Sequence, residues 1–173
     1  MRVALNGYGR IGRSFVRALA EREAGGWQAP FSLVAINDLG RPEDLLYLTR
    51  FDSTHGPFPG LAALSADGLT VGRHSAQLFS QDSPDTLPWK ELGAGLVLEC
   101  TGVFRGHDEA AAHLRAGAQR VIIGAVPFDH ADALLVYGVN HETLLPGQQV
   151  LSAASCTTHA IAPLLATLDQ AWG

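Results

Sequence analysis

Short apolar runs alternate along the chain with stretches in which apolar residues return every three or four positions. Val3–Leu5 and Leu33–Ile36 are continuous apolar runs, the pattern of strands buried on both faces of a sheet. Between them Ile11, Phe15, Val16 and Leu19 recur at helical spacing, which predicts a helix with one apolar face ending near Gly25-Gly26. Pro42–Arg50 predicts a second helix opened by proline, whose missing N–H is no loss in a first turn. Thr70–Phe79 predicts a small hairpin around Gly72–His74. Further strands are predicted at Leu96–Leu98, Val121–Ile123, Leu134–Tyr137 and Gln149–Leu151. Helices are predicted over His107–Arg115, closed by Gly117, and over Ile161–Ala171. This β-α-β-α order with continuous apolar strands predicts an α/β fold, a mainly parallel sheet covered by helices.

Length and composition narrow the function without naming it. The 173 residues read as one domain, 1–173, with no internal repeat, low-complexity segment or linker. Hydrophobic residues at 47% and charged residues at 17% exclude disorder. A net charge of -5 argues against a general nucleic-acid binder but permits a local basic pocket for phosphate. No apolar run approaches the roughly 20 residues that span a bilayer, and Met1–Asn6 is too short for the core of a signal peptide. Cys100 and Cys156 lie far apart, with neither metal-site nor disulfide spacing, and a reducing cytoplasm suits them.

Two segments carry chemistry. Gly7, Gly9 and Gly12 lie between a predicted strand and a predicted helix, the context a dinucleotide-binding G-x-G-x-x-G requires. The glycines serve a tight turn, the close approach of backbone to pyrophosphate, and helix–sheet packing, and the pyrophosphate rests on the helix N-terminus near Arg10 and Ile11. Asp38, ending the second strand, is placed to hold both hydroxyls of the adenosine ribose. A carboxylate there repels a 2′-phosphate, which favours NAD over NADP. The bland alternative is a structural loop. The fold expectation sharpens to a Rossmann-type doubly wound, mainly parallel sheet with helices on both faces. The second segment, Ser152–His159, sets Cys156 among small and hydroxylated residues at the start of a helix. There the helix dipole and free N–H groups favour the nucleophilic thiolate.

With these residues in view, the chain resembles the N-terminal half of the phosphorylating glyceraldehyde-3-phosphate dehydrogenase family, which includes the erythrose-4-phosphate dehydrogenases. The resemblance runs through Asn6–Arg13, Ala35-Ile36-Asn37-Asp38, Phe51–Gly56, Cys100-Thr101-Gly102-Val103-Phe104, Gly138–Glu142 and Ala154–Thr158. Leu87–Gly93 and Val136–Asn140 lean toward the erythrose-4-phosphate branch, whereas Asp38 and Asn140-His141-Glu142 lean toward the glyceraldehyde-3-phosphate branch. The resemblance implies a glycolytic type of oxidoreductase using NAD. Arg10 and Ile11 would line the pyrophosphate, Asp38 the ribose, and Thr101 with Phe104 the rest of the groove. Cys156 would attack the aldehyde and form a thioester released by phosphate or water, with Ser155 and Thr157 beside it to hold phosphate or orient the substrate.

The departures from the family are equally specific. The family chain is about twice as long, and its second half supplies the substrate domain and the base histidine. The expectation is therefore NAD binding and a reactive thiol with little or no turnover, the substrate domain being absent. An apolar face on Ile161, Leu164, Leu165 and Leu168 would be left partly uncovered and open to self-association. Ala153 and His159 stand where the family usually has asparagine, and Gly124 where it often has serine. His159 lies about one turn beyond Cys156 on the same helix face and is a candidate substitute base; a packed or solvated histidine is the plainer reading. The rival function is a non-catalytic dinucleotide-binding or redox-sensing module, a decayed paralogue. Cys100 reads as a buried structural thiol, and Asp52 with His55 as loop hydrogen bonding. His107, Asp108 and His113 do not form a metal site. Trp27, Trp89 and Trp172 read as packing or surface residues.

Overall fold

The computed structural model describes residues 1–173. The chain opens with β1 (Arg2–Asn6), α1 (Arg10–Ala24), β2 (Ser32–Asn37) and α2 (Pro42–Arg50). A two-strand clip, β3 (Phe51–Asp52) with β4 (Gly56–Pro57), precedes β5 (Ala62–Ser65), β6 (Gly68–Val71) and β7 (His74–Phe79). After α3 (Trp89–Leu92) come β8 (Leu96–Glu99), α4 (His107–Ala110), α5 (Ala112–Arg115) and β9 (Arg120–Ile123). β10 (Ala133–Leu134), β11 (Val150–Ser152) and α6 (Cys156–Trp172) complete the chain.

The main sheet has nine strands in the order β10-β11-β9-β8-β1-β2-β7-β6-β5. From β10 to β7 every neighbouring pair is parallel, and β7-β6-β5 continue as antiparallel hairpins. Alternation along the strands divides the core into two faces. Leu5, Leu33 and Ile36 pack with Val16 and Ala20 of α1 and Leu45 of α2. Ala4, Ala35 and Val97 face the other way, onto Trp89 and Ala110. Val34 is an extra residue between the pairs Val3↔Leu33 and Ala4↔Ala35, and this bulge keeps Leu33 and Ile36 on one face. The α/β, doubly wound arrangement is the one the apolar pattern predicts.

Several details differ from the pattern. The helix predicted over His107–Arg115 is two short turns parted at Ala111. Of the predicted strand Leu134–Tyr137 only Leu134 lies in β10, because Asn140 turns back to accept the Val136 N–H and donate to the Leu134 carbonyl. The last helix starts at Cys156 rather than Ile161: Ser155 caps it, and Pro163 is carried inside it. Ile11, counted on the buried face of α1, is 57% exposed. The buried positions of that helix are Gly12, Val16, Arg17, Leu19 and Ala20.

Candidate functional site

From β1 the chain passes by α1 to β2 on one side, while β8 flanks β1 on the other. That reversal opens a crevice at the carboxyl ends of β1 and β8, where open α/β sheets bind ligands. Gly7 is buried at its base with φ +90°, and a Cβ there would lie 2.5 Å from the Thr101 backbone nitrogen. The loops after β1 and β8 therefore touch, and only glycine permits it. The N-terminus of α1 is capped by Gly9 with no side-chain acceptor and has no acidic residue in its first turn. Its free N–H groups and positive dipole end thus face the crevice unopposed.

A cleft of about 330 Å³ occupies this crevice, lined by Gly7, Gly9, Asp38, Thr101 and Phe104 among others. Asp38 is fixed there by the backbone: Tyr8 N–H donates to Oδ2 at 2.7 Å and Gly40 N–H to Oδ1 at 2.8 Å. Each oxygen keeps a lone pair for an incoming hydroxyl. A second cavity of about 300 Å³ shares Gly9, Cys100 and Thr101 with the first and extends past Arg10 and Ile11 to Arg105 and Gly124. Ile11, exposed on α1, is thus a wall of this second cavity.

Beneath the cleft runs a row of polar side chains. Register aligns Asn37, Asn6 and Glu99 across β2, β1 and β8. Asn37 Nδ2 donates to Asn6 Oδ1 at 2.7 Å, and Asn6 Nδ2 to Glu99 Oε2 at 2.6 Å. Trp89 Nε1–H donates to His113 Nδ1 at 3.0 Å, which fixes the proton on Nε2, from where it is donated to Glu99 Oε2 at 3.0 Å. The other oxygen, Oε1, accepts the Thr101 N–H at 2.7 Å and also the Thr101 hydroxyl. Glu99 is completely buried, yet every partner is a donor, the full complement a buried carboxylate needs. The Thr101 hydroxyl is in turn an acceptor for Val103 N–H at 3.0 Å. Its proton is already committed, so it presents only acceptor capacity to a ligand.

Cys156 sits at a sharp elbow between β11 and α6. Ala153 N–H donates to Ile123 O at 2.9 Å and Ser152 Oγ–H to Ala125 O at 2.8 Å, which ties the elbow to the wall of the second cavity. Ala154 takes a left-handed φ of +56°, a strained value for a residue with a Cβ. Ser155 caps α6, its Oγ accepting Thr158 N–H at 3.0 Å and sharing hydrogen bonds with the Thr157 and Thr158 hydroxyls. Cys156 is exposed at the first helical position, at the N-terminal end of α6. His159 donates from Nε2 to the Ala153 carbonyl at 2.6 Å, leaving Nδ1 as its one nitrogen able to take a proton.

The other cysteine is the opposite case. Burial, reinforced by the neighbouring Glu99 carboxylate, pushes the Cys100 thiol up to about 12. It is the inert structural thiol the sequence indicates. Asp52 Oδ1 accepts Thr54 and His55 N–H at 2.8 Å each, the loop role expected of it. His113 lies in the buried row and His107 pairs with Asp108 and Asp132, so the two histidines serve separate structural pairs.

Motif reading missed Asn6, Asn37, Glu99, His113 and Arg105. A signal for three of them was present: Asn6, Asn37 and Glu99 each follow a core residue, Ala4, Ala35 or Val97, by one strand period. Three strands that end on a polar residue in phase with the core announce a polar row there.

Comparison with known proteins adds an independent finding. A family model described as the NAD binding domain of glyceraldehyde 3-phosphate dehydrogenase matches residues 1–107. Across all 173 residues the chain is 48% identical to a glyceraldehyde-3-phosphate dehydrogenase of Xanthobacter flavus, spanning 50% of that protein. It is 45% identical to the chromosomal glyceraldehyde-3-phosphate dehydrogenase of Cupriavidus necator, spanning 51% of it, and 44% identical to that of Pseudomonas aeruginosa, again spanning 51%. The chain spans about half the length of the curated relatives it matches.

Proposed function

The chain belongs to the glyceraldehyde 3-phosphate dehydrogenase family as an NAD binding domain, and from that premise we propose that it is the cofactor-binding, nucleophile-bearing part of an enzyme that oxidises a small phosphorylated aldehyde. The observation that carries the proposal is the elbow. It holds an exposed thiol at the start of α6 and is hydrogen-bonded to the wall of the cavity that continues the cofactor cleft.

The residues divide the work as follows. Gly7, Gly9 and Gly12 shape the turn; Arg10 and Ile11 face the pyrophosphate; Asp38 accepts the ribose hydroxyls; Thr101 and Phe104 wall the groove. The Cys156 thiolate adds to the aldehyde carbon and gives a thiohemiacetal, its oxygen within the field of the free N–H groups that open α6. NAD, when bound, would supply the acceptor for the hydride of that carbon. The hydroxyl proton must leave for a base, and what remains on Cys156 is a thioester. A phosphate oxygen attacks the thioester carbon, acyl phosphate departs, and the thiolate is restored. The Ser155 hydroxyl is engaged in capping, whereas Thr157 lies exposed beside the thiol and can orient the phosphate.

General-base help is worth about 10²–10⁴ in rate. The proposal assigns that base, and most of the contacts to the substrate phosphate, to residues outside these 173. The surface of α6, where Ile161, Leu164 and Leu165 are all more than half exposed, is the natural seat for them or for self-association. The relatives carry the name glyceraldehyde-3-phosphate dehydrogenase, which favours that aldehyde. Free thiols at Cys100 and Cys156 suit a reducing cytoplasm, and no helix is long and apolar enough to cross a membrane.

The test is NAD binding together with single-turnover NADH formation from NAD, phosphate and either glyceraldehyde 3-phosphate or erythrose 4-phosphate, with Cys156→Ala as control. NAD binding without a burst is expected of these 173 residues. A burst that vanishes in Cys156→Ala would move the base inside the chain, to His159. A chain that binds no NAD would overturn the proposal.

A further inference from the structure

Arg105 is a buried-stem arginine that finds no acceptor in the protein. Its Nε is shut off from solvent without a hydrogen-bond partner. Elsewhere in the chain arginines in comparable surroundings are satisfied by carbonyls: Arg17 donates to Gly56 O at 2.9 Å and Arg50 to Ala62 O at 3.0 and 2.6 Å. Arg13, whose Nε is also unpartnered, still donates from Nη1 to Tyr8 O at 2.8 Å. The Arg105 guanidinium instead lies 3.8 Å from the Phe128 ring centroid, a cation–π stack that fixes its orientation. Phe128 N–H donates to the Arg105 carbonyl at 3.1 Å, which pins the aromatic residue to the arginine it supports. The guanidinium makes no hydrogen bond to a protein acceptor, so its charge and terminal N–H groups are free for a bound anion.

The cavity that Arg105 lines shows what the acceptor is. The open N-terminus of α1, with Arg10, forms another part of its wall, and Ile123, Gly124 and Ala125 add no charge. Glu99 is the acid that touches it, and that carboxylate is saturated by its own donors and completely buried. The cavity is therefore cationic, lined by Arg105 and by a helix N-terminus with Arg10, a combination that fits a phosphate group. It continues from the Asp38 cleft across Gly9 and Thr101. A dinucleotide with its adenosine in that cleft brings the phosphate on its nicotinamide side here.

We propose that Arg105 binds the nicotinamide-side phosphate of the dinucleotide, as a second cationic contact across the cavity from the α1 N-terminus. The assignment rests on the NAD reading above and adds to it a residue outside the glycine turn. Arg105 stands on the loop after β8, so the charge that steadies the reactive half of the cofactor comes from a different strand end than the one that holds the adenosine.

The test compares affinities of NAD, ADP and AMP for the wild-type chain, Arg105→Leu, Arg105→Lys and Phe128→Leu, with thermal melting alongside. ADP carries the phosphate in question and AMP lacks it. Arg105→Leu is expected to weaken NAD and ADP by about tenfold or more and AMP less than about twofold. Arg105→Lys restores part of the loss, because charge returns without the fork. Phe128→Leu, which keeps the charge and loosens its support, falls between the two.

Unchanged NAD and ADP affinity in Arg105→Leu overturns the proposal. So does an equal loss for AMP, which marks a damaged cleft. Loss of inorganic phosphate binding, read by phosphorus NMR, with NAD affinity intact overturns it too, in favour of a free-phosphate site. A wild-type chain that binds none of the three nucleotides refutes the NAD reading itself, a result separable from the failure of Arg105 alone.

Discussion

The floor of the cleft and its rim are built on opposite terms. In the floor, Asn37, Asn6, Glu99, His113 and Trp89 form one chain of hydrogen bonds with no polar atom left over, and Cys100 beside them is held as an inert thiol. On the rim, the α1 N-terminus lacks a side-chain cap, Arg105 lacks an acceptor, Ala154 is held in a strained conformation and Cys156 stands exposed. Satisfied groups fix geometry and unsatisfied ones bind. A site needs both, and here they meet at Thr101, which bonds the Glu99 carboxylate of the floor and lines both cavities.

That contrast can be attacked at its widest point first. Cys100 and Cys156 differ most in reactivity: a thiol near 12 is only ~10⁻⁴ thiolate at pH 8. Iodoacetamide labelling of the native protein, mapped by mass spectrometry, should modify Cys156 at least ~10³ times faster than Cys100. Comparable rates would erase the distinction between floor and rim.

Next in size is stability. Glu99→Ala leaves Asn6, His113 and Thr101 with buried donors unpaired and is expected to cost about 3–5 kcal/mol in urea unfolding. Cys156→Ala, on the exposed rim, should stay within about 0.5 kcal/mol. Equal costs would mean that the polar row does not anchor the fold.

Asp38→Asn should weaken NAD about 10–100-fold, the worth of charge-assisted hydrogen bonds to the ribose. Calorimetry with NAD and NADP sharpens the point, because NADP should lose less or gain. An equal loss for both would remove Asp38 from cofactor selection.

The smallest effect lies at the sheet edge below the elbow, where the Asp132 carboxylate accepts Gln149 and Val150 N–H at 2.8 and 2.9 Å and pairs with His107 at 3.2 Å. Partial burial pushes His107 down, but its bonds to Asp108 and Asp132 outweigh this and its pKa is raised. Asp132 is depressed, chiefly by the Val150 N–H against the opposing pull of burial, with Gln149 N–H and His107 adding to the lowering. A raised histidine contributes stability that is complete below its free value of about 6.5 and fades as pH rises through the folded value. A depressed aspartate contributes stability above about 3.9 and loses it as pH falls through its folded value. The pair is therefore strongest between about pH 4 and 6.5 and worth less than about 1 kcal/mol. Melting curves of wild type and His107→Gln should separate in that window and converge once the pH passes the raised folded value; a constant gap would show that the histidine acts by packing instead.

The rim was legible in the sequence because its residues are local. Gly7, Gly9 and Gly12 name a turn by their spacing, and Cys156 is marked by its small, hydroxylated neighbours, although apolar spacing begins the last helix only at Ile161 and the Ser155 cap starts it at Cys156. The floor was not, because Asn6, Asn37 and Glu99 meet only through strand register, and His113 reaches them from another layer. Likewise β7 reads as half of a local hairpin, yet it also pairs with β2 in the main sheet, a long-range choice that its own alternation does not encode. Arg105 was overlooked because it belongs to no motif. Its significance lies in an acceptor that the fold withholds.

The indole at the far end of the polar row gives the molecule an optical reporter. Trp27 and Trp172 are 40% and 80% exposed, whereas Trp89 is sealed and joined through His113 and Glu99 to Thr101 at the cleft. A collisional quencher such as iodide silences the first two and spares the third. The emission that survives quenching reads out the ground beneath the cofactor, with no label attached.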